Sequence, residues 1–113
     1  MIATISPSAL ADLRRRGEAI TLIDVRTPAE FEEVHVAFAR NMPLDELDPR
    51  QVASLGGDGP VYFICKSGGR SHRACEQMTA AGFGRVVNVE DGTAACEAVG
   101  IPVVRGRPAP HAR

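Results

Sequence analysis

Short runs of β-branched and aromatic residues, separated by well-capped amphipathic stretches, narrow the fold more than any other feature of this chain. The runs are Ile20-Thr21-Leu22-Ile23-Asp24-Val25, Val61-Tyr62-Phe63-Ile64-Cys65 and Arg85-Val86-Val87-Asn88-Val89. They are apolar almost without alternation, so they read as strands buried on both faces. Ser6-Pro7 opens a helix, with a hydroxyl cap and a proline where no N–H is needed. Ala9, Leu10 and Leu13 supply its apolar face, and Gly17 stops it. Thr27-Pro28-Ala29-Glu30 is a capping box that starts a short helix ending near Glu33. Asp48-Pro49-Arg50-Gln51 repeats the start signal, with Val52 and Leu55 inward and Gly56-Gly57 as the stop. Ser71 can cap a helix running to about Ala81, with Ala74, Cys75 and Met78 inward and Gly82 at its end. Gly92 precedes a last short helix that ends near Gly100. Strands alternating with helices predict an α/β domain, with a mainly parallel sheet and right-handed crossovers.

At 113 residues there is room for one domain, and a chain of this size can bury a working core without staples. Thirteen basic against fourteen acidic side chains leave a net charge of −1, which excludes a strongly basic nucleic-acid binder. No apolar run approaches the ~20 residues of a membrane span, and the N-terminus lacks a secretory apolar region. Three cysteines argue against a disulfide framework and for a reducing compartment, so the expected location is the cytoplasm. The domain is expected over residues 1–105, followed by a Pro- and Arg-rich tail over 106–113 that frays.

In parallel sheets, ligands sit beyond the carboxyl ends of strands. That rule points to the residues after Val25 and after Ile64. The second segment is Cys65-Lys66-Ser67-Gly68-Gly69-Arg70-Ser71. A cysteine closes a buried strand, glycines allow a close backbone approach, and a helix begins. Backbone N–H groups in such a turn can converge into an anion-binding nest, and the helix start adds partial positive charge. Lys66, the only lysine of the chain, and Arg70 add two full charges. Together these favour thiolate over thiol, which makes Cys65 a candidate nucleophile. The plainer alternative is a small buried cysteine beside an ordinary glycine loop.

The chain resembles a single rhodanese domain, of the sulfurtransferase family, from about Ile5 to Arg105. The resemblance rests on Asp24-Val25-Arg26, on Glu30-Phe31 followed by His35, on Asn41-Met42-Pro43-Leu44, on Cys65 through Ser71, and on Val89-Glu90-Asp91-Gly92 with Gly100-Ile101-Pro102-Val103. It implies five parallel strands with helices on both faces. It also implies that Cys65 accepts sulfur as a persulfide and passes it on. A small anionic donor such as thiosulfate, or a persulfide, would supply the sulfur, and a thiol, a protein acceptor or cyanide would remove it. No metal or organic cofactor is implied. Two places depart from the family. Val34-His35-Val36-Ala37-Phe38-Ala39 replaces the usual Gly-His-Ile-Pro-Gly-Ala, so Phe38 either covers the site or fills space. Cys96 stands where tryptophan is common. Some bacterial proteins with similar domains continue past a Pro-rich linker into a membrane hairpin, and this sequence is compatible with either arrangement.

The loop length bears on the chemistry. Four residues separate Cys65 from Arg70, whereas the related phosphatases and arsenate reductases have five between cysteine and arginine. Ser71 then occupies the place where arginine would clamp a phosphate. Sulfur transfer is therefore expected over phosphoryl transfer. A sulfur-relay or regulatory binding module with little small-molecule turnover is the alternative. Asp24 and Arg26 have two readings. In one, Asp24 accepts hydrogen bonds from the loop and Arg26 holds Glu30. In the other they form a structural ion pair, the commoner case. His35 is expected to be structural, Cys75 and Cys96 to belong to the core, and His72 with Cys75 to lack the spacing of a metal site.

Overall fold

Three of the helices begin where the sequence places a hydroxyl or carboxylate before a proline. In this computed structural model, which describes residues 2–106, Ser6 Oγ accepts the Ala9 N–H at 3.1 Å and starts α1, Pro7–Arg15. Thr27 and Glu30 exchange hydrogen bonds in a complete capping box at the head of α2, Pro28–Glu33. Asp48 accepts the Gln51 N–H at 3.4 Å at the head of α3, Pro49–Leu55. Each cap satisfies an N–H that the first helical turn leaves unpaired. The last two helices have no such cap. They are α4, Gly69–Ala80, entered from Gly68 in the left-handed region at φ 104°, and α5, Gly92–Ala98, entered from Asp91 at φ 64°. Ser71 is therefore not the α4 cap, and Gly92 is the first residue of α5 instead of preceding it.

Seven strands accompany the helices. The three expected runs become β2 (Thr21–Asp24), β5 (Val61–Ile64) and β6 (Val86–Val89). Short additions are β1 (Ala3–Ile5), β3 (His35–Val36), β4 (Ala39–Asn41) and β7 (Val103–Val104). One five-stranded sheet has the order β1-β6-β5-β2-β4, with every neighbouring pair parallel. The other two strands form an antiparallel ribbon, with His35 opposite Val104 and Val36 opposite Val103. The altered Val34–Ala39 connection is thus tied down by the returning chain, and the Ala37 N–H reaches Pro102 O at 2.9 Å.

The unbroken apolar runs are explained by two cores. Ile23, Val25, Val61, Phe63, Cys65 and Val86 face α3 and α4 through Val52, Ala74, Cys75 and Met78. Leu22, Ile64 and Val89 face α1 and α5 through Leu10, Ala11 and Cys96. Successive strand residues point to opposite faces, so a sheet covered on both sides requires apolar residues at every position. The buried face of α1 is Pro7, Leu10 and Ala11, with Ala9 and Leu13 only partly covered. Phe38 packs against the second core, with the Arg14 guanidinium 5.3 Å over its ring, so it fills space. Cys75 and Cys96 are fully buried core residues. No helix among the described residues is long and apolar enough to cross a membrane. Residues 107–113 of the expected tail lie outside the described residues.

Of the described glycines, Gly92, where α5 meets the turn after β5, has the least room for a side chain. Gly92 has φ 78°, and a Cβ there would lie 2.0 Å from Lys66 O and 2.5 Å from Cys65 O. Gly92→Ala combines a clash with backbone and a left-handed strain, for which about 2 kcal/mol or more is expected. Thermal unfolding should show a Tm lower by roughly 10 °C. Gly69→Ala is the control, since a Cβ at Gly69 meets nothing within 4 Å, and its Tm should move by only about a degree or two.

Candidate functional site

The carboxyl ends of β5 and β6 and the start of α4 meet around the sulfur of Cys65. Cys65 follows β5 directly and is only 1% exposed. Its carbonyl is held from α5, by the Thr93 N–H at 3.1 Å and by Thr93 Oγ1 at 3.5 Å. The chain then turns through Lys66, Ser67 and the left-handed Gly68 into α4. This turn aims the Gly68 N–H back at Cys65 Sγ, 3.1 Å away. Gly68 is one of the positions where only glycine is comfortable, because its φ lies in the left-handed region.

Ser71 lies in the first turns of α4 with its hydroxyl buried under the loop. Its single hydrogen has three acceptors in reach: Cys65 Sγ at 3.3 Å, Gly68 O at 3.2 Å and Asn88 Oδ1. Asn88 comes from β6 and donates its amide to Gly68 O at 3.2 Å. It therefore pins the carbonyl of the residue whose N–H meets the sulfur. Burial pushes the Cys65 thiol up, but hydrogen bonds from the Ser71 hydroxyl and from the Ser71, Ser67 and Gly68 N–H groups outweigh it. The net result is a thiol held below its ordinary range. By contrast, burial alone dominates at the other two cysteines and pushes Cys75 up to about 12 and Cys96 to about 11.

The two loop cations differ. Lys66 is exposed and makes no ion pair among the described residues. Arg70 is gripped by Glu30, with Nη1 to Oε1 at 2.7 Å and Nη2 to Oε2 at 2.9 Å. That hydrogen bond from Arg70 is the main reason the Glu30 carboxyl is lowered to about 2. Of the two readings of Asp24 and Arg26, the geometry is that of the ion pair, and Arg26 does not hold Glu30. Arg26 instead folds back on Asp24, with Nη2 to Oδ2 at 2.7 Å and Nε to Oδ1 at 2.9 Å, and it also donates to Val34 O at 2.6 Å. Both residues are buried, and none of the hydrogen bonds described for Asp24 comes from the Cys65 loop. Their pairing makes them a structural brace next to the site. Asn41 adds to the brace by donating its amide to Asp24 O and Arg26 O, each at 3.0 Å. His35 stacks on Phe31 with centroids 3.6 Å apart and donates its Nδ1–H to Phe31 O at 2.7 Å. That is a structural role. Among the described residues, no group of three His, Cys, Asp or Glu side chains is placed to hold a metal.

Glu30, Asn88, Gly92 and Thr93 were not singled out as site residues in the sequence. A signal existed for Asn88, a lone amide inside the apolar run Val86-Val87-Asn88-Val89 at the carboxyl end of a strand. Glu30 is visible in the sequence in the capping box and as a possible partner of Arg26, but its actual partner, Arg70, lies forty residues away.

Comparison with known proteins agrees with this geometry. A sulfurtransferase of Allochromatium vinosum is 33% identical over 104 residues, spanning 92% of this chain and 96% of its own length. An uncharacterized Synechocystis protein is 36% identical over 107 residues, and the chain spans 59% of that protein's length. The solution structure of the rhodanese-like domain of Anabaena Alr3790 superposes with a TM-score of 0.81 at 26% identity, covering 93% of this chain and 80% of that one. The profile of the rhodanese-like domain matches residues 6–98, a span that holds α1 through α5 and the whole Cys65 loop, and on that match the chain belongs to the rhodanese-like domain family.

Proposed function

We propose that this domain is a sulfurtransferase that carries a sulfane sulfur on Cys65. The observation that carries the reading is a sulfur removed from water yet held below its ordinary thiol range by inward-facing hydrogen-bond donors. The Cys65 thiolate attacks the outer sulfur of the donor. A new Sγ–S bond forms, the donor's S–S bond breaks, and its electron pair leaves on sulfite when thiosulfate is the donor, or on a thiolate when a persulfide is. A thiol or cyanide acceptor then attacks the outer sulfur of the Cys65 persulfide and regenerates the thiolate. The donors around Sγ are fixed before reaction, which is how a preorganised site stabilises a developing sulfur anion without reorganising. Lys66 stands at the loop with an uncommitted charge that can draw in an anionic donor. Sulfur transfer is favoured over phosphoryl transfer by loop length and by Arg70, whose guanidinium faces Glu30 with both arms instead of being open to a phosphate.

Intact mass after incubation with thiosulfate should rise by one sulfur atom, roughly 32 Da, located on Cys65 by digestion. Cys65→Ser should abolish the gain, together with thiosulfate:cyanide activity. Sulfur found on Cys75 or Cys96 alone, or phosphatase turnover without sulfur transfer, would overturn the proposal.

Lys66→Ala should reduce kcat/KM for thiosulfate roughly three- to tenfold, the scale of one screened charge. A persulfide donor of lower charge should lose less. Equal losses with both donors would show that Lys66 only shapes the loop.

Ser71→Ala removes one of the hydrogen bonds that hold the Cys65 thiol down. Only the thiolate alkylates, so its rate falls as pH drops through the thiol's titration. The midpoint for iodoacetamide should therefore move to higher pH. Rates should be lower near neutrality and meet the wild-type rates in strong alkali.

A further inference from the structure

The Arg70–Glu30 pair sits beside the reactive sulfur, and the capping box gives Glu30 a second hold. Glu30 Oε1 also accepts the Thr27 N–H and the Thr27 hydroxyl, each at 3.1 Å. The carboxylate is thus fixed by the start of α2 and offers both oxygens to the guanidinium in a fork. Both side chains remain about one-third exposed, so the pair faces the solvent from which a donor arrives. Arg70 also feels the charge of Cys65, which helps to hold its guanidinium protonated. An isolated arginine there would attract an anion. An arginine joined to a carboxylate presents a dipole, whose field falls off faster than that of a single charge. The approaching anion meets attraction and repulsion that nearly cancel. Lys66 is then the one loop cation without an ion pair among the described residues.

We infer that Glu30 is a specificity-determining residue: by occupying both arms of Arg70, it withholds that charge from the donor and biases the site toward a persulfide terminus on a thiol carrier over a dianion such as thiosulfate. This rests on the sulfur-transfer reading above. The chemistry fits the charges. Attack on thiosulfate brings a thiolate against a dianion and releases sulfite as a dianion. Attack on a protonated persulfide R–S–SH brings the thiolate against a neutral terminus, gives Cys65–S–SH, and releases one thiolate R–S⁻. The second reaction needs less positive charge at the mouth.

The test is Glu30→Gln. Glutamine can complete a capping box as glutamate does, so α2 keeps its start while the negative charge is removed. The charge at the site is read on Cys65 with two alkylating agents of similar size, anionic iodoacetate and neutral iodoacetamide. Both must reach the same buried sulfur, so access cancels in the ratio of their rates. That ratio should rise roughly three- to tenfold in Glu30→Gln, as expected for one uncovered charge. The rise should disappear in Glu30→Gln/Arg70→Ala. Thr27→Ala loosens the cap without changing any charge and should leave the ratio at the wild-type value. In parallel, persulfide loading of Cys65 is followed by intact mass with thiosulfate and with the persulfide of 2-mercaptoethanol, whose carrier is uncharged. Glu30→Gln should speed loading from thiosulfate more than loading from the persulfide. A ratio that stays flat or falls in Glu30→Gln, or rises equally in Thr27→Ala, would overturn the role of Glu30 and leave sulfur transfer intact. If the wild type takes sulfur from neither donor, the sulfur-transfer reading falls, and the donor assignment falls with it.

Discussion

A polar sulfur buried at the end of a covered parallel sheet needs donors in place of water, and the turn after β5 brings them to Cys65. The Gly68 N–H and the Ser71 hydroxyl replace the water that burial removes. Neither donor is placed by the turn alone. Asn88 reaches across from β6 to fix the Gly68 carbonyl, and Thr93 fixes the Cys65 carbonyl from the start of α5. Gly92 makes that second contact possible, because any side chain there would strike the Lys66 carbonyl. The Cys65 sulfur is thus held by three elements distant in sequence. The other two cysteines, buried without such donors, are pushed in the opposite direction and kept as inert thiols.

The same covered sheet explains what the sequence reveals and what it hides. Long apolar runs declared β2, β5 and β6, because residues facing both cores must all be apolar. Proline after a hydroxyl or carboxylate declared the starts of α1, α2 and α3. The edge strands β1 and β4 are three residues each and carry exposed positions, so no apolar run marks them. The β3–β7 ribbon has two residues a side and exists only because the chain returns to it.

The site was legible in part for a related reason. Cys65 and its glycines lie within one stretch, so local chemistry pointed to them. The start of α4 was misread because Ser71 is a good cap by type, while a left-handed Gly68 leaves no side-chain signature. Of the charges near the loop, the local pair was legible and the distant one was not. The Asp24–Arg26 ion pair, the commoner of the two readings, is what Arg26 makes, with the carboxylate two residues back. Glu30 is taken by Arg70. Two arginines and two carboxylates near one site allow more than one pairing, and only the packing of α2 against the loop decides between them.

The strand order has a consequence for how the domain comes into being. β1 has only one neighbour in the sheet, β6, and Ala3 lies opposite Val87. The ribbon likewise joins His35 to Val104. On a ribosome, the first strand would emerge long before its partner, and residues 35–36 would wait until nearly the whole domain had been synthesised. Closing such distant pairings is slow, and until they close the nascent chain exposes apolar strand edges. The central strands β2 and β5 can meet earlier and leave β1 to dock late. Completion of the hydrogen-bonded cradle around Cys65, which needs both β6 and α5, then waits until those late elements of the domain have been made.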